Sequence, residues 1–367
     1  MSTKVPPVAG STAAVLAAAT GTRSLSPATY PSWAGRLDRV AATSANDVWA
    51  VGLSAAGGQI AHWNGRSWSD YDFSDGYQAV AARSPTDVWA VGGTAWFYPS
   101  QTFAEHWNGK AWTHVPTPTP GGSAYLNGVA ATSPANAWTV GCICGGPGAP
   151  GIMVPLIEHW NGKTWRRQSF NLPQNSGEFN DVAAISATDA WAVGTTSNGT
   201  ANGALIEHWN GTRWKRVWPG TGNGRGVLQG VTATGPDNVW AAGFNDNGPT
   251  YLSLILHFNG KRWSPVPSPN PTGSTNLWDI SASSPTNAWA VGFTNPNVCG
   301  NGGPQCGTAA FHWNGKTWRA VPAPNPSAGL DALSGVVAMT PSDAWAVGAV
   351  NSSSTIIEHW NGKAWNT

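Results

Sequence analysis

Residues 180–214 read NDVAAISATDAWAVGTTSNGTANGALIEHWNGTRW, and the chain repeats this stretch, with variations, seven times. Two signatures mark each copy. The first, V-A-A-x-S-x-x-[DN]-[AV]-W-A-V-G, carries Trp49, Trp89, Trp138, Trp191, Trp240, Trp289 and Trp345. The second, E-H-W-N-G-K-x-W, turns at Asn64, Asn108, Asn161, Asn210, Asn259, Asn314 and Asn361. Successive tryptophans of the first signature lie 40, 49, 53, 49, 49 and 56 residues apart. A period of about 50 residues is that of a propeller or another closed array.

One copy reads as four short strands. Residues 180–185 and 190–193 are apolar, β-branched and aromatic, divided by Ser186-Ala187-Thr188-Asp189. In other copies Pro takes the second place of that divider and pre-sets a turn, and the Asp or Asn side chain is expected to bond nearby backbone. A third run, 204–209, meets a fourth, 212–216, across Asn210-Gly211. That pair predicts a two-residue hairpin turn with both residues at positive φ. No copy carries a capped run of helical period. One such sheet cannot bury both faces alone, and a ring leaves only short, protected edges. The prediction is therefore all-β: a seven-bladed β-propeller, each blade a four-stranded antiparallel meander.

The repeated aromatics then have a structural assignment. Three tryptophans per blade, with Phe258 replacing one, are expected to fill the space between blades. His62, His106, His159, His208, His257, His312 and His359 occupy one strand position around a ring, so they cannot converge on one ion. A repeated hydrogen bond is expected of them, with no metal and no cofactor.

Charged residues make up 10% of the 367, where soluble domains typically have roughly 25%. The 45 glycines, 28 prolines and 24 tryptophans fit turn-rich β structure. A net charge of +1 gives no footprint for nucleic acid, and no apolar run reaches the ~18 residues that span a bilayer. Residues 1–21 read either as a secretory leader, with Lys4 ahead of a small-residue run ending Ala17-Ala18-Ala19, or as a disordered tail. Residues 22–36 come next, with Arg23-Ser24-Leu25 in the register of an outer strand. That segment is expected to complete the seventh blade and latch the ring, with the propeller occupying 37–367. The expected location is secreted or cell-surface, with cytoplasmic as the alternative, and the expected state is a monomer.

In such a meander the first–second and third–fourth turns share one face of the ring, and these are the tight turns. The other face carries the variable segments: 92–102, 141–154, 194–203, 244–250, 293–308, and the Pro-rich connectors 115–123 and 266–274. Variable loops on a rigid scaffold are where binding is usually built. Four tryptophans outside the repeat, Trp33, Trp96, Trp218 and Trp278, map there with Tyr30, Tyr98, Tyr125 and Tyr251. They read as stacking surfaces for a sugar or an apolar partner, or as packing between loops. A second set lies two residues before each first-strand valine, at the mouth of the central channel: Asp38, Gln78, Asn127, Asn180, Gln229, Trp278 and Ser334. These are candidate ligand-binding residues, or caps on strand ends that hold channel water. Arg39, Asp181 and Asp279, one position along, are the acid/base cluster to test for catalysis. No nucleophile-elbow, phosphate-loop or paired-carboxylate motif is present. His114, outside the repeat, is expected to be exposed on an outer strand.

The cysteines are Cys142, Cys144, Cys299 and Cys306, placed in second–third loops of blades three and six. Disulfides, free thiols and a shared zinc site are all open; Cys299–Cys306 closes a plausible loop, whereas Cys142–Cys144 is expected to be strained.

The pattern D-V-W-A-V-G followed by H-W-N-G-K-x-W resembles the Asp-box (BNR-type) propellers, above all the photosystem II stability/assembly-factor branch. It is also similar to bacterial secreted repeat proteins grouped with galactose-oxidase and kelch-like propellers. The resemblance covers about residues 37–365 and implies the propeller fold. The Asp-box serine and aspartate are replaced here, as at His159-Trp160-Asn161. The sialidase arginine triad and the Tyr/His copper ligands of galactose oxidase find no counterparts. The leading expectation is a non-catalytic propeller that recognises a carbohydrate or a protein on its variable-loop face. The alternatives are an Asp-box-like glycosidase or lyase using loop-face carboxylates, and a pure assembly scaffold.

Overall fold

The computed structural model describes residues 33–367 except 95–99, 119–120, 147–148, 171–175, 198–201, 222–224, 247–249, 272–273, 295–306 and 328. Tyr30, Trp96, Tyr98, Cys299, Cys306 and residues 23–25 therefore lie outside the described residues. The rest forms seven separate four-stranded antiparallel sheets, each pairing its strands in sequence order. The inner strands are Gly35–Ser44, Gly76–Ser84, Ala124–Ser133, Gly177–Ser186, Val227–Gly235, Thr275–Ser284 and Asp331–Thr340. Among the described residues, no helix is long and apolar enough to cross a membrane.

The core is a relay of aromatics from blade to blade. The first-signature tryptophan of every blade is almost wholly buried. Its own blade's histidine lies against it, ring centroids 3.7–4.5 Å apart. The next blade supplies two further rings at 4.7–5.9 Å, one tilted and one nearly edge-on, as Trp138 receives Trp209 and Trp214. Such geometry suits the ring quadrupoles better than face-to-face stacking. Trp345 of blade 7 meets Trp63 and Trp68 of blade 1, so the relay closes.

The repeated histidines make the expected hydrogen bond: each Nε2 lies 2.7–2.9 Å from the Asp or Asn that ends the first turn of its blade. The sequence reading gave that Asp or Asn a local backbone bond, and this is corrected. In blades 3, 5 and 6 its amide nitrogen instead donates to the hydroxyl four residues earlier, as Asn136 does to Thr132. The hairpin prediction is corrected too. The loop between third and fourth strands has four residues, closed by pairs such as Trp209 with Trp214. Only the glycine takes positive φ. The Asn side chain accepts the N–H groups two and three residues on, as Asn210 does from Thr212 and Arg213, and so adds to the turn's own backbone bond, Asn210 N–H to Arg213 O at 3.3 Å.

Blade 7 has a C-terminal fourth strand of just two residues, Trp365–Asn366. At its loop end the third strand is bonded instead by the start of the chain's described part. Thr355 N–H donates to Trp33 O, Gly35 N–H donates to Ser353 O, and Thr355 Oγ1 accepts from Trp33 N–H. Both ends of the chain thus hold this blade.

Candidate functional site

Each inner strand slips register twice with its neighbour, once beside the tight turn and once near the loop face, and the second slip makes the site. The residues it skips are Asp38, Gln78, Asn127, Asn180, Gln229, Trp278 and Ser334, one per blade. A bulge inserts an unpaired residue and redirects its side chain. Here the large residue before each bulge (Leu37, Tyr77, Leu126, Phe179, Leu228, Leu277, Leu333) is locked in the core. The bulged side chain turns to the axis. The glycine of W-A-V-G is what lets the strands come so close: a Cβ on Gly194 would sit 2.0 Å from Glu178 O, and the six equivalents face the same clash at 1.9–2.1 Å.

All seven bulged residues line one axial funnel of about 500 Å3 on the variable-loop face. The sequence reading missed Arg36 and Glu178, which also line it, and blade 7 adds Leu330, Ala332, Ala349 and Ser352. Arg36 and Glu178 stand two residues before a bulge, so extending the strand's alternation by one step would have found them. Arg36 Nε bonds both oxygens of Asp38, at 2.9 and 3.2 Å. Burial nevertheless holds Asp38 above its ordinary pKa against the pull of Arg36 and Arg39, and burial also raises Glu178.

Arg39, Asp181 and Asp279 come together as the floor. Arg39 Nη1 donates to Asp38 O and Ser334 O at 3.0 Å, and Nη2 reaches Gln229 O at 3.5 Å, across the channel. Below this guanidinium lies a second cavity of about 290 Å3, lined by Arg39, Asp181 and Asp279 and by inner-strand alanines and valines. Each aspartate bridges two blades. Asp181 accepts from Val182 N–H and from Val231 N–H of the next blade; Asp279 accepts from Ile280 and Val336 in the same way. Enclosure in the channel wall raises both carboxyls, while Arg39 opposes the rise. At this position the chain reads Arg39, Ala79, Gly128, Asp181, Gly230, Asp279, Gly335. Each charged residue follows a glycine on the preceding blade because neighbouring strands nearly touch: a Cβ on Gly128, Gly230 or Gly335 would lie 2.7–2.9 Å from the next blade's Asp181, Asp279 or Arg39 Cα. The three charged residues are committed to this blade-to-blade stitching.

The remaining aromatics are dispersed. Trp278 is half-buried in the funnel wall, 4.7 Å from Phe293 at 66°. Trp33 is not an exposed loop aromatic; it packs into the cluster between blades 7 and 1, edge-on to Trp68 at 6.4 Å. Tyr125 is half-buried with its hydroxyl 2.7 Å from Ser100, and Tyr251 sits edge-on to Phe244. Trp218 is 77% exposed, with the Arg216 guanidinium 5.8 Å from its ring, outside the funnel lining. His114 is not merely exposed: its Nδ1 lies 3.1 Å from Glu105, and that hydrogen bond raises its pKa. Of the alternatives left open for the cysteines, Cys142 and Cys144 take the disulfide, with Cα atoms 5.7 Å apart. They belong to a strand, Asn136–Gly146, rather than a loop, and residues two apart on a strand share one face.

No family model matches the chain, and no curated protein does. Solved structures do. YCF48 bound to a D1 peptide is similar with a TM-score of 0.52 and 16% identity, over 91% of this chain and 94% of that one. A streptogramin B lyase gives 0.61 and 14%, over 92% and 97%. A polysaccharide lyase, the PL25 ulvan lyase bound to -[GlcA(1-4)Rha3S]-, gives 0.58 and 10%, over 94% and 97%. At these identities the likeness is one of fold.

Proposed function

We propose that this protein is a binding propeller that holds a ligand, glycan or protein, in the axial funnel of its variable-loop face. The observation that carries the reading is the convergence of seven bulged side chains, one from each blade, on a single polar funnel. Pockets of roughly 300–1,000 Å3 with a few oriented polar groups are the usual form of a small-ligand site. Two of the similar structures hold a bound peptide or a bound polysaccharide, which supports either class of ligand. The Asp-box and kelch-like kinship read from D-V-W-A-V-G belongs to the same proposal. So does a secreted or surface location, which the Cys142–Cys144 disulfide supports because disulfides persist in oxidising compartments.

The test is a glycan array and a peptide array probed with the full chain beside a Trp278→Ala, Gln229→Ala variant. Binding that the variant loses supports the funnel as the site; binding that it keeps moves the site elsewhere. No binding by either protein would favour the scaffold reading. One observation favours an enzyme as a second reading: Asp38 and Glu178 both stand in the funnel with raised pKa values, as acid/base residues often do.

A further inference from the structure

We infer that the funnel takes the terminal residue of an uncharged saccharide chain, a single pyranose end, and does not take an internal segment. This rests on the binding reading above and adds what the ligand is and which part of it enters.

The floor decides which part. Arg39 starts on blade 1, bonds the Ser334 carbonyl on blade 7 and reaches the Gln229 carbonyl on blade 5, so its guanidinium lies across the channel. Funnel and lower cavity meet at this one side chain. A polymer cannot thread past it, and the funnel receives an end.

The walls decide the chemistry. Asn127 Nδ2 donates to Phe179 O at 3.0 Å, and Asn180 Nδ2 donates to Leu228 O at 2.8 Å, each on the following blade. Those bonds fix the amide orientation and leave each carboxamide oxygen to the funnel, as preset acceptors for ligand donors. Trp278, of blade 6, stands three blades round the ring from Asn127 and two from Asn180, held against Phe293. An arc of fixed acceptors facing a fixed indole suits a pyranose, which has hydroxyls at its edge and a C–H face that packs on an aromatic ring. The two arginines of the lining are matched by two carboxyls, Asp38 and Glu178, so no net positive charge selects a phosphate, sulfate or uronate.

The experiment is saturation-transfer NMR with calorimetry on the full chain, using neutral gluco-, galacto-, manno- and xylo-oligosaccharides of two to six residues. Each is offered free and with its non-reducing terminal residue blocked, beside uronate oligosaccharides and a peptide pool. The expected result is saturation concentrated on the terminal ring of one neutral series and affinity flat with length. Blocking the end should abolish binding, and Asn180→Ala or Trp278→Ala should each weaken it about tenfold or more, with Trp218→Ala unchanged. Affinity that climbs with chain length, or a preference for uronates, would overturn the inference. Peptide binding lost in Trp278→Ala, without saccharide binding, would overturn it while leaving the binding reading in place. Binding of neither class would remove both.

Discussion

Three glutamates show how a repeat position can carry a hidden charge. Glu158, Glu207 and Glu358 are fully buried on third strands, and both carboxyl oxygens of each lack a hydrogen-bond partner among the described residues. Burial pushes them up to about 8, about 7 and about 8 from an ordinary 4.5. A raised folded-state pKa means stability that is fully present below pH 4.5 and lost as pH rises through about 7 to 8. On the acid side stand His159, His257 and His312, whose pKa burial lowers; their contribution is lost as pH falls below 6.5. Their Asn partners carry no charge to hold a proton on the ring. Replacing all three glutamates with glutamine should therefore raise the melting temperature at pH 8.5 relative to the native chain and leave it nearly unchanged at pH 5. A thermal-unfolding series against pH reads the outcome; parallel curves for the two proteins would refute this account.

Among elements, the inner strand with its bulge is the unit that makes the site. Its register slip depends on the glycine of the second strand, because the incoming backbone occupies the place a Cβ would take. Gly194→Ala should cost about 1–3 kcal/mol, as overpacking does, and should also displace Asn180 and so weaken funnel binding. Gly121, which has nothing within 4 Å of its would-be Cβ, is the matched control, and Gly121→Ala should leave the denaturation midpoint unchanged. Equal losses at the two sites would mean that glycine propensity, not the bulge, sets the cost. The position of the bulge could be read from the repeat alignment as two residues before the valine. That it was a bulge could not, since a pattern of period two does not show which residue has no partner across the sheet.

Closure belongs to the whole molecule. Blade 7 meets blade 1 through Trp345 against Trp63 and Trp68, and through the bonds from Trp33 and Gly35 to Ser353 and Thr355. Deleting residues 1–35 removes the second set and uncovers Trp68. The melting temperature should fall by a few degrees, given that about 1 kcal/mol shifts a domain of this class by roughly 2–4 °C. An unchanged value in calorimetry would mean that the aromatic relay alone closes the ring.

The sequence by itself determined the repeat, the seven blades, the strands within them and the aromatic positions that fill the space between. All of these follow from periodicity and from turn chemistry within a few residues, as at Ser186–Asp189 and Asn210-Gly211. It also named the seven axial residues, because equivalent positions in a closed array must form a ring. The tertiary structure decided how they are used. Arg39 reaches Gln229 across 190 positions of sequence, Trp33 belongs to the seam rather than to the loop face, and Asn127 and Asn180 have their amide nitrogens spent on the next blade. Such facts depend on distances between segments that only the closed ring brings together, and no local pattern in the chain encodes them.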